Sequence, residues 1–179
     1  MSTHQTDAPA SKAEVFGNLR PEGPSSGKRL QFFDLHATAV LPVENAEQYC
    51  EYPEAILNSG VDLHAFHEGT CTMQVLYSDM ENDGLSLGAY SFPANFTFPR
   101  HWHDSDQIIF VLEGVLIHGN KRMHPGEGYF TRAGATYSFQ AGPAGVKFLE
   151  FRPKTNFRTV MAEDDPAKWV RTDKAVPEE

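Results

Sequence analysis

From Cys71 onward the chain is cut into short runs rich in β-branched, aromatic and leucine residues: Met73 to Tyr77, Leu85 to Phe92, Gln107 to Leu112, Val115 to His118, Ala135 to Gln140 and Val146 to Phe151. Turn signals separate them at short intervals: Asn82-Asp83-Gly84, Glu113-Gly114, Gly119-Asn120, Pro125-Gly126, Ala133-Gly134 and Gly142-Pro143. Parallel strands need crossover connections of a dozen or more residues, usually helical, and no such stretches lie between these runs. The pattern therefore predicts an all-β, antiparallel jelly roll or β-barrel over about Thr72 to Pro153.

The segment before it reads differently. Residues 1–28 are dominated by Ser, Pro, Gly, Thr and charges, with Pro24-Ser25-Ser26-Gly27 reading as a linker, so they are expected to be a disordered N-terminal arm. Leu30 to Leu35 reads as a strand added at the barrel edge. Ala46 to Ser59 reads as helical, with Pro53 in a first turn and Gly60 ending it. Near the other end, Asp165 before Pro166 offers an N-cap and first helical position, predicting a short helix over Ala167 to Arg171 that packs Trp169 on the barrel. The expected organisation is an arm over 1–28, a barrel with its N-terminal extension over 29–153, and a tail with a short helix over 154–179.

The formal charge of −9, with 15 scattered basic residues, excludes an extended nucleic-acid surface, because phosphate binding needs clustered Lys and Arg. Small molecules or proteins are the partners left. Cys50 and Cys71 read as two reduced thiols rather than a disulfide. No apolar run is long enough to span a bilayer, and the first residues lack an apolar leader core, so a soluble, cytoplasmic protein is expected.

One constellation points to chemistry. His101-Trp102-His103 places two imidazoles at i and i+2, which in a strand face the same side while Trp102 faces the other. Gln107 opens the next strand and shares a face with Ile109 and Val111, giving a wall that is apolar except at one end, as a ligand cavity needs. A two-residue turn at Glu113-Gly114 pairs Val111 with Leu116 and Ile109 with His118. That register puts His118 on the cavity face as a candidate third imidazole, although its place beside the Gly119-Asn120 turn favours the solvent end of its strand. His36, His64, His67 and His124 lack metal-ligand spacing to the pair and read as surface or capping residues, though His64 and His67 could close over the barrel mouth. Arg100 and Arg132 flank the site in sequence and could clamp a carboxylate bidentately.

Over roughly Leu85 to Pro153 the sequence resembles the cupin superfamily. Asn95, His101, His103, Gln107 and Gly114 reproduce the spacing of its first motif, G-(x)5-H-x-H-(x)3,4-E-(x)6-G. Gly126, Arg132, Gly134, Tyr137 and Ala141 reproduce that of the second, G-(x)5-P-x-G-(x)2-H-(x)3-N. The resemblance implies a small barrel holding one divalent transition metal, iron foremost, with Zn, Ni, Mn or Cu as alternatives. The ligand positions it implies are His101, His103, Gln107 and Tyr137, with Gln107 replacing an acid, Tyr137 replacing a histidine and Arg132 replacing a turn proline. A neutral Gln oxygen leaves the ion with more positive charge than a carboxylate does, which favours an anionic substrate. Tyr137 is then either a ligand or a general base, and Tyr137 and Arg132 are the candidate catalytic residues. The function implied is a metal-dependent enzyme on a small oxygenated or aromatic acid: a dioxygenase, or a non-redox lyase, isomerase or decarboxylase. A non-catalytic binding or sensing barrel is the alternative, and a homodimer is an expected assembly.

Overall fold

Two long bent strands, β6 (Gln107–His118) and β9 (Tyr137–Arg152), organise the barrel. In this computed structural model, which describes residues 30–44 and 46–171, each belongs to both faces of the roll. The first half of β9 pairs with β5 (Thr97–His103), its second half with β4 (Ser86–Phe92), and β6 runs antiparallel to it along both halves. The other strands are β1 (Leu41–Pro42), β2 (Cys50–Glu51), β3 (Thr72–Ser78), β7 (Lys121–Met123), β8 (Gly128–Thr131) and β10 (Thr159–Met161). The order is β1-β3-β4-β9-β5-β10-β2, with β7 and β8 on β6. All pairs are antiparallel except β10 with β2.

The antiparallel jelly-roll barrel expected from the sequence is present, and several local expectations are corrected. Leu30 to Leu35 forms no strand, and the edge strand is β1. Adjacent Phe32 and Phe33 break the alternation of a half-buried strand and both are exposed. Asp34 instead starts a turn, its carboxylate accepting from the His36 amide at 2.8 Å and its carbonyl from the Thr38 amide at 2.9 Å. Ala46 to Ser59 is not one helix. It divides into a 3-10 turn (Ala46–Tyr49), β2 and α1 (Glu54–Leu57), and a further helix, α2 (Leu63–His67), is capped by the Asp62 side chain. Pro53 stands at the N-cap of α1, and Gly60 lies beyond its end at φ +80°.

Glu113-Gly114 is not a hairpin. The strand continues through it, and register shifts relative to β9 fall between Val111 and Glu113 and between Gly114 and Leu116. Gly114 takes φ +71°, and a Cβ there would stand 2.1 Å from the Gly145 carbonyl oxygen, so the close approach of β6 to β9 at the bend requires glycine. His118 consequently pairs with Lys121 across the Gly119-Asn120 turn, not with Ile109. Gly142-Pro143 likewise lies inside β9.

The core lies between the two faces of the roll: Phe92, Phe96, Ile109, Val111, Leu116, Phe139, Val146 and Phe148 are all buried. The segment after Pro153 adds β10 beside β5, then a 3-10 turn (Pro166–Trp169) capped by the Asp165 side chain. Its Trp169 is 3% exposed and packs on Tyr52 and Phe66, as the sequence led one to expect. The arm over 1–28 and the last eight residues lie outside the described residues. Among the described residues no helix is long and apolar enough to cross a membrane, and no disulfide joins Cys50 and Cys71.

Candidate functional site

A bulge in β5 aims the histidine pair. Phe98 is opposite Phe139 and His101 opposite Tyr137, so three steps on β5 match two on β9. Pro99, with no N–H for the ladder, falls inside that irregularity. The extra residue brings Phe98 and His101 to the same inner side, ring centroids 4.6 Å apart. His101 and His103 follow at 2% and 7% exposure, with ring centroids 5.1 Å apart.

Each imidazole is held by a backbone carbonyl. Nδ1 of His101 lies 2.8 Å from the Pro99 oxygen, and Nδ1 of His103 lies 3.0 Å from the Arg158 oxygen. A carbonyl only accepts, so both Nδ1 atoms carry the proton and each lone pair is on Nε2. This is the outer hydrogen bond that orients a metal-binding histidine. Burial pushes His101 down to about 4, against the opposing bond to Pro99, so the ring is neutral near pH 7.

A second polar chain runs beside the pair. Arg152, 3% exposed, donates from Nη2 to Gln107 Oε1 at 2.8 Å and from Nη1 to Glu150, with which it forms an ion pair. A guanidinium only donates, which fixes the Gln107 amide: its oxygen faces Arg152 and its Nε2 donates to the Tyr137 hydroxyl. Tyr137 also hydrogen-bonds with Tyr129. Burial raises the Tyr137 pKa, opposed by the Arg152 charge and by the bonds to Gln107 and Tyr129, and the raised value keeps it a phenol near neutrality. Its ring stands opposite His101, centroids 4.3 Å apart.

Both groups open on one cavity of about 140 Å³. Phe92, Phe98, Phe139 and Phe148 form apolar wall, and His101, His103, Tyr137 and Arg152 line its polar side. Sequence reasoning read His67 as a surface or capping residue, with closure over the barrel mouth as the alternative. It is 2% exposed, lines the cavity and shares a hydrogen bond with the Tyr52 hydroxyl through Nε2 at 3.0 Å. In α2, Leu63, Phe66 and His67 fall at i, i+3 and i+4, a signal that could have shown it facing inward. His36, His64 and His124 are exposed.

Arg152 was also missed. It continues the alternation of Val146, Phe148 and Glu150, one residue past the apolar run, so period two could have found it. Arg132 is exposed over the Phe130 ring, at 5.7 Å, in a shallow depression shared with His118, Tyr129 and the outer side of Tyr137. Arg100 is exposed and pairs with Glu163 at 3.2 Å.

The donor set fits a transition ion at two positions, His101 and His103. Among the described residues no three His, Cys, Asp or Glu side chains are grouped to hold a metal. A further protein donor would therefore come from Gln107, whose oxygen keeps one lone pair beyond the Arg152 bond, or from the Tyr137 oxygen.

Fold and site together define a single-copy jelly-roll barrel with a buried imidazole pair at the edge of an aromatic cavity. The chain has the barrel fold of the RmlC-like cupins. It is similar to solved structures of KdgF from a Halomonas species (16% identity, 71% of this chain and 96% of that one, TM-score 0.50), an RmlC-like cupin from Shewanella frigidimarina (13%, 73% and 94%, 0.50) and the polyketide cyclase RemF from Streptomyces resistomycificus (22%, 76% and 89%, 0.50). At these identities the likeness speaks for the fold. No protein-family model and no curated protein matches the chain.

Proposed function

We propose that this protein is a metal-dependent enzyme acting on a small oxygenated or aromatic acid inside the barrel. The observation behind this reading is the imidazole pair, each Nδ1 anchored on a carbonyl and both rings lining an aromatic cavity. His101 and His103 would hold the ion, with Gln107 or Tyr137 as a further protein donor. When bound, the ion supplies Lewis-acid polarisation of a substrate oxygen or, if it is iron, a site for dioxygen chemistry. The chain's own part is to exclude water with the phenylalanine wall and to hold a proton on the Tyr137 hydroxyl beside His101. Burial raises the Tyr137 pKa and so favours the phenol form. Arg132 lies outside the cavity lining, in the outer depression beside Tyr137.

Elemental analysis tests the reading. About one equivalent of a divalent transition metal is expected in the parent, and a large loss in the His101→Ala, His103→Ala double variant. Equal stoichiometry in both proteins would end the assignment. Oxygen uptake with ferrous iron and candidate acids then separates a dioxygenase from a non-redox lyase, isomerase or decarboxylase. A barrel that binds such acids without turning them over would be the sensing module instead.

A further inference from the structure

The side chains that point outward from the barrel wall carry a pattern of their own. Phe130, Ile108 and Phe151 stand side by side across β8, β6 and β9, and the row continues through Leu87 on β4 to Tyr77 on β3. Phe110 and Leu149 begin a second row beside it. Phe130, Ile108, Phe110 and Phe151 are 53%, 47%, 42% and 37% exposed, and Leu87, Leu149 and Tyr77 are half-buried. Alternation puts these seven on the outer side, since Gln107, Ile109, Phe148 and Arg152 between them are buried inward. None of the seven is charged near pH 7, although the chain has a formal net charge of −9. Two copies can therefore approach on this face without the like-charge repulsion that the rest of the chain imposes.

The chain covers one end of this face itself. The second row runs on from Leu149 to Ala89 and Gln74, both buried, and Gln74 Nε2 donates to the Leu35 and Thr38 carbonyls, each at 2.7 Å, as that segment crosses β3. The end at β6 and β8 is left open. Its four exposed side chains present roughly 300–400 Å² of apolar surface, taking about 150–250 Å² for a whole aromatic side chain, as much as the largest patch of many monomers. With the three half-buried neighbours this approaches the apolar share of a standard interface, which buries about 800 Å² per partner and is a little over half apolar. The corners of the face suit a second copy. Arg132 stands two residues beyond Phe130 and Asp79 two beyond Tyr77, at the same end of the strands, because Thr131, Gln107, Arg152, Ser86 and Ser78 form the next row. A two-fold axis parallel to the strands brings the Arg132 corner of each copy to the Asp79 corner of the other. We propose that this face is the interface of a two-fold homodimer, with Phe151 at its centre.

Sedimentation velocity of the full chain across micromolar concentrations is the test, with circular dichroism to confirm that each variant is folded. The parent is expected to sediment as a dimer. Phe151→Glu sets two carboxylates against each other across the axis, so the dimer dissociation constant should rise by about a hundredfold or more. Phe110→Ser removes apolar area without adding charge, and because each substitution counts twice in a two-fold interface the constant should rise by at least about tenfold. Lys168→Glu changes charge on the 3-10 turn, away from the face, and should leave the dimer as it is. A monomeric parent overturns the proposal and leaves the face to a different partner. A dimer that keeps the parent's affinity in the folded Phe151→Glu and Phe110→Ser variants overturns it too, as does one that Lys168→Glu weakens equally. Should Phe151→Glu not fold, Phe110→Ser decides, since it alters a side chain already 42% exposed.

Discussion

Tyr137 stands directly opposite His101 across the β5 and β9 ladder, ring centroids 4.3 Å apart, and its hydroxyl accepts from the Gln107 amide. One residue thus touches both the imidazole pair and the polar chain that ends at Arg152 and Glu150. Its hydroxyl can donate its own proton toward the cavity because Gln107 occupies it only as an acceptor. Tyr137→Phe keeps the ring and removes only that group. Turnover of the acid found to be substrate should fall by about a hundredfold or more, the range for loss of a general acid or base, while metal content stays at the parent value. Full turnover would make the ring a packing element, and loss of metal would make the oxygen a ligand.

Gln107→Glu places a carboxylate at the position where the first cupin motif carries an acid. The new side chain still accepts from Arg152 but no longer donates to Tyr137. It adds a negative charge within reach of two neutral imidazoles, so metal should be retained against chelator about tenfold better than in the parent. Competition with a chromophoric chelator measures this. Unchanged affinity would place Gln107 outside the coordination sphere.

Gly114 lies where β6 crosses close to β9. With φ at +71° and the Gly145 oxygen 2.1 Å from where a Cβ would stand, Gly114→Ala must move backbone. A destabilisation of roughly 2–3 kcal/mol follows, lowering Tm by about 5–10 °C. Thermal unfolding checks it. A Tm within a degree of the parent would mean the bend relaxes freely.

The barrel and the histidine pair were legible because both are written in local periodicity. Alternation along Gln107, Ile109 and Val111, and along Tyr137 and Phe139, put the same side chains inward that the structure buries. Strand continuity was less legible. Glu113-Gly114 and Gly142-Pro143 carry ordinary turn residues, and only the long-range pairing of β6 with β9 shows that these glycines serve a bend and a close approach. Arg152 escaped notice because a charged residue at the end of an apolar run reads as solvated. Its burial depends on Gln107, Glu150 and Phe157 from three other points in the chain. The short strands β2 and β10 are only two and three residues long and take their conformation from their partners.

His67 gives the last expectation, a pH dependence of stability. It lies at the end of α2, buried against Phe66, Phe98 and Trp169, with the Tyr52 hydroxyl on Nε2 and the Glu47 carboxylate near enough to act on its charge. Burial outweighs the Glu47 attraction and pushes its pKa down to about 4 from an ordinary 6.5. Between those values the unfolded chain binds a proton that the folded one does not. Stability is therefore fully present above pH 6.5 and declines as pH falls toward 4, by about 3 kcal/mol from this group alone. His67→Gln preserves a partner for the Tyr52 hydroxyl and cannot titrate. Carboxylates and His101 titrate in both proteins and cancel in the comparison, so urea unfolding at a series of pH values should show the variant losing less stability than the parent between pH 6.5 and 4. The two curves should run parallel above pH 7. Parallel curves through the acid range as well would show that His67 accepts its proton without opening the cover that α2 and Trp169 form over the barrel.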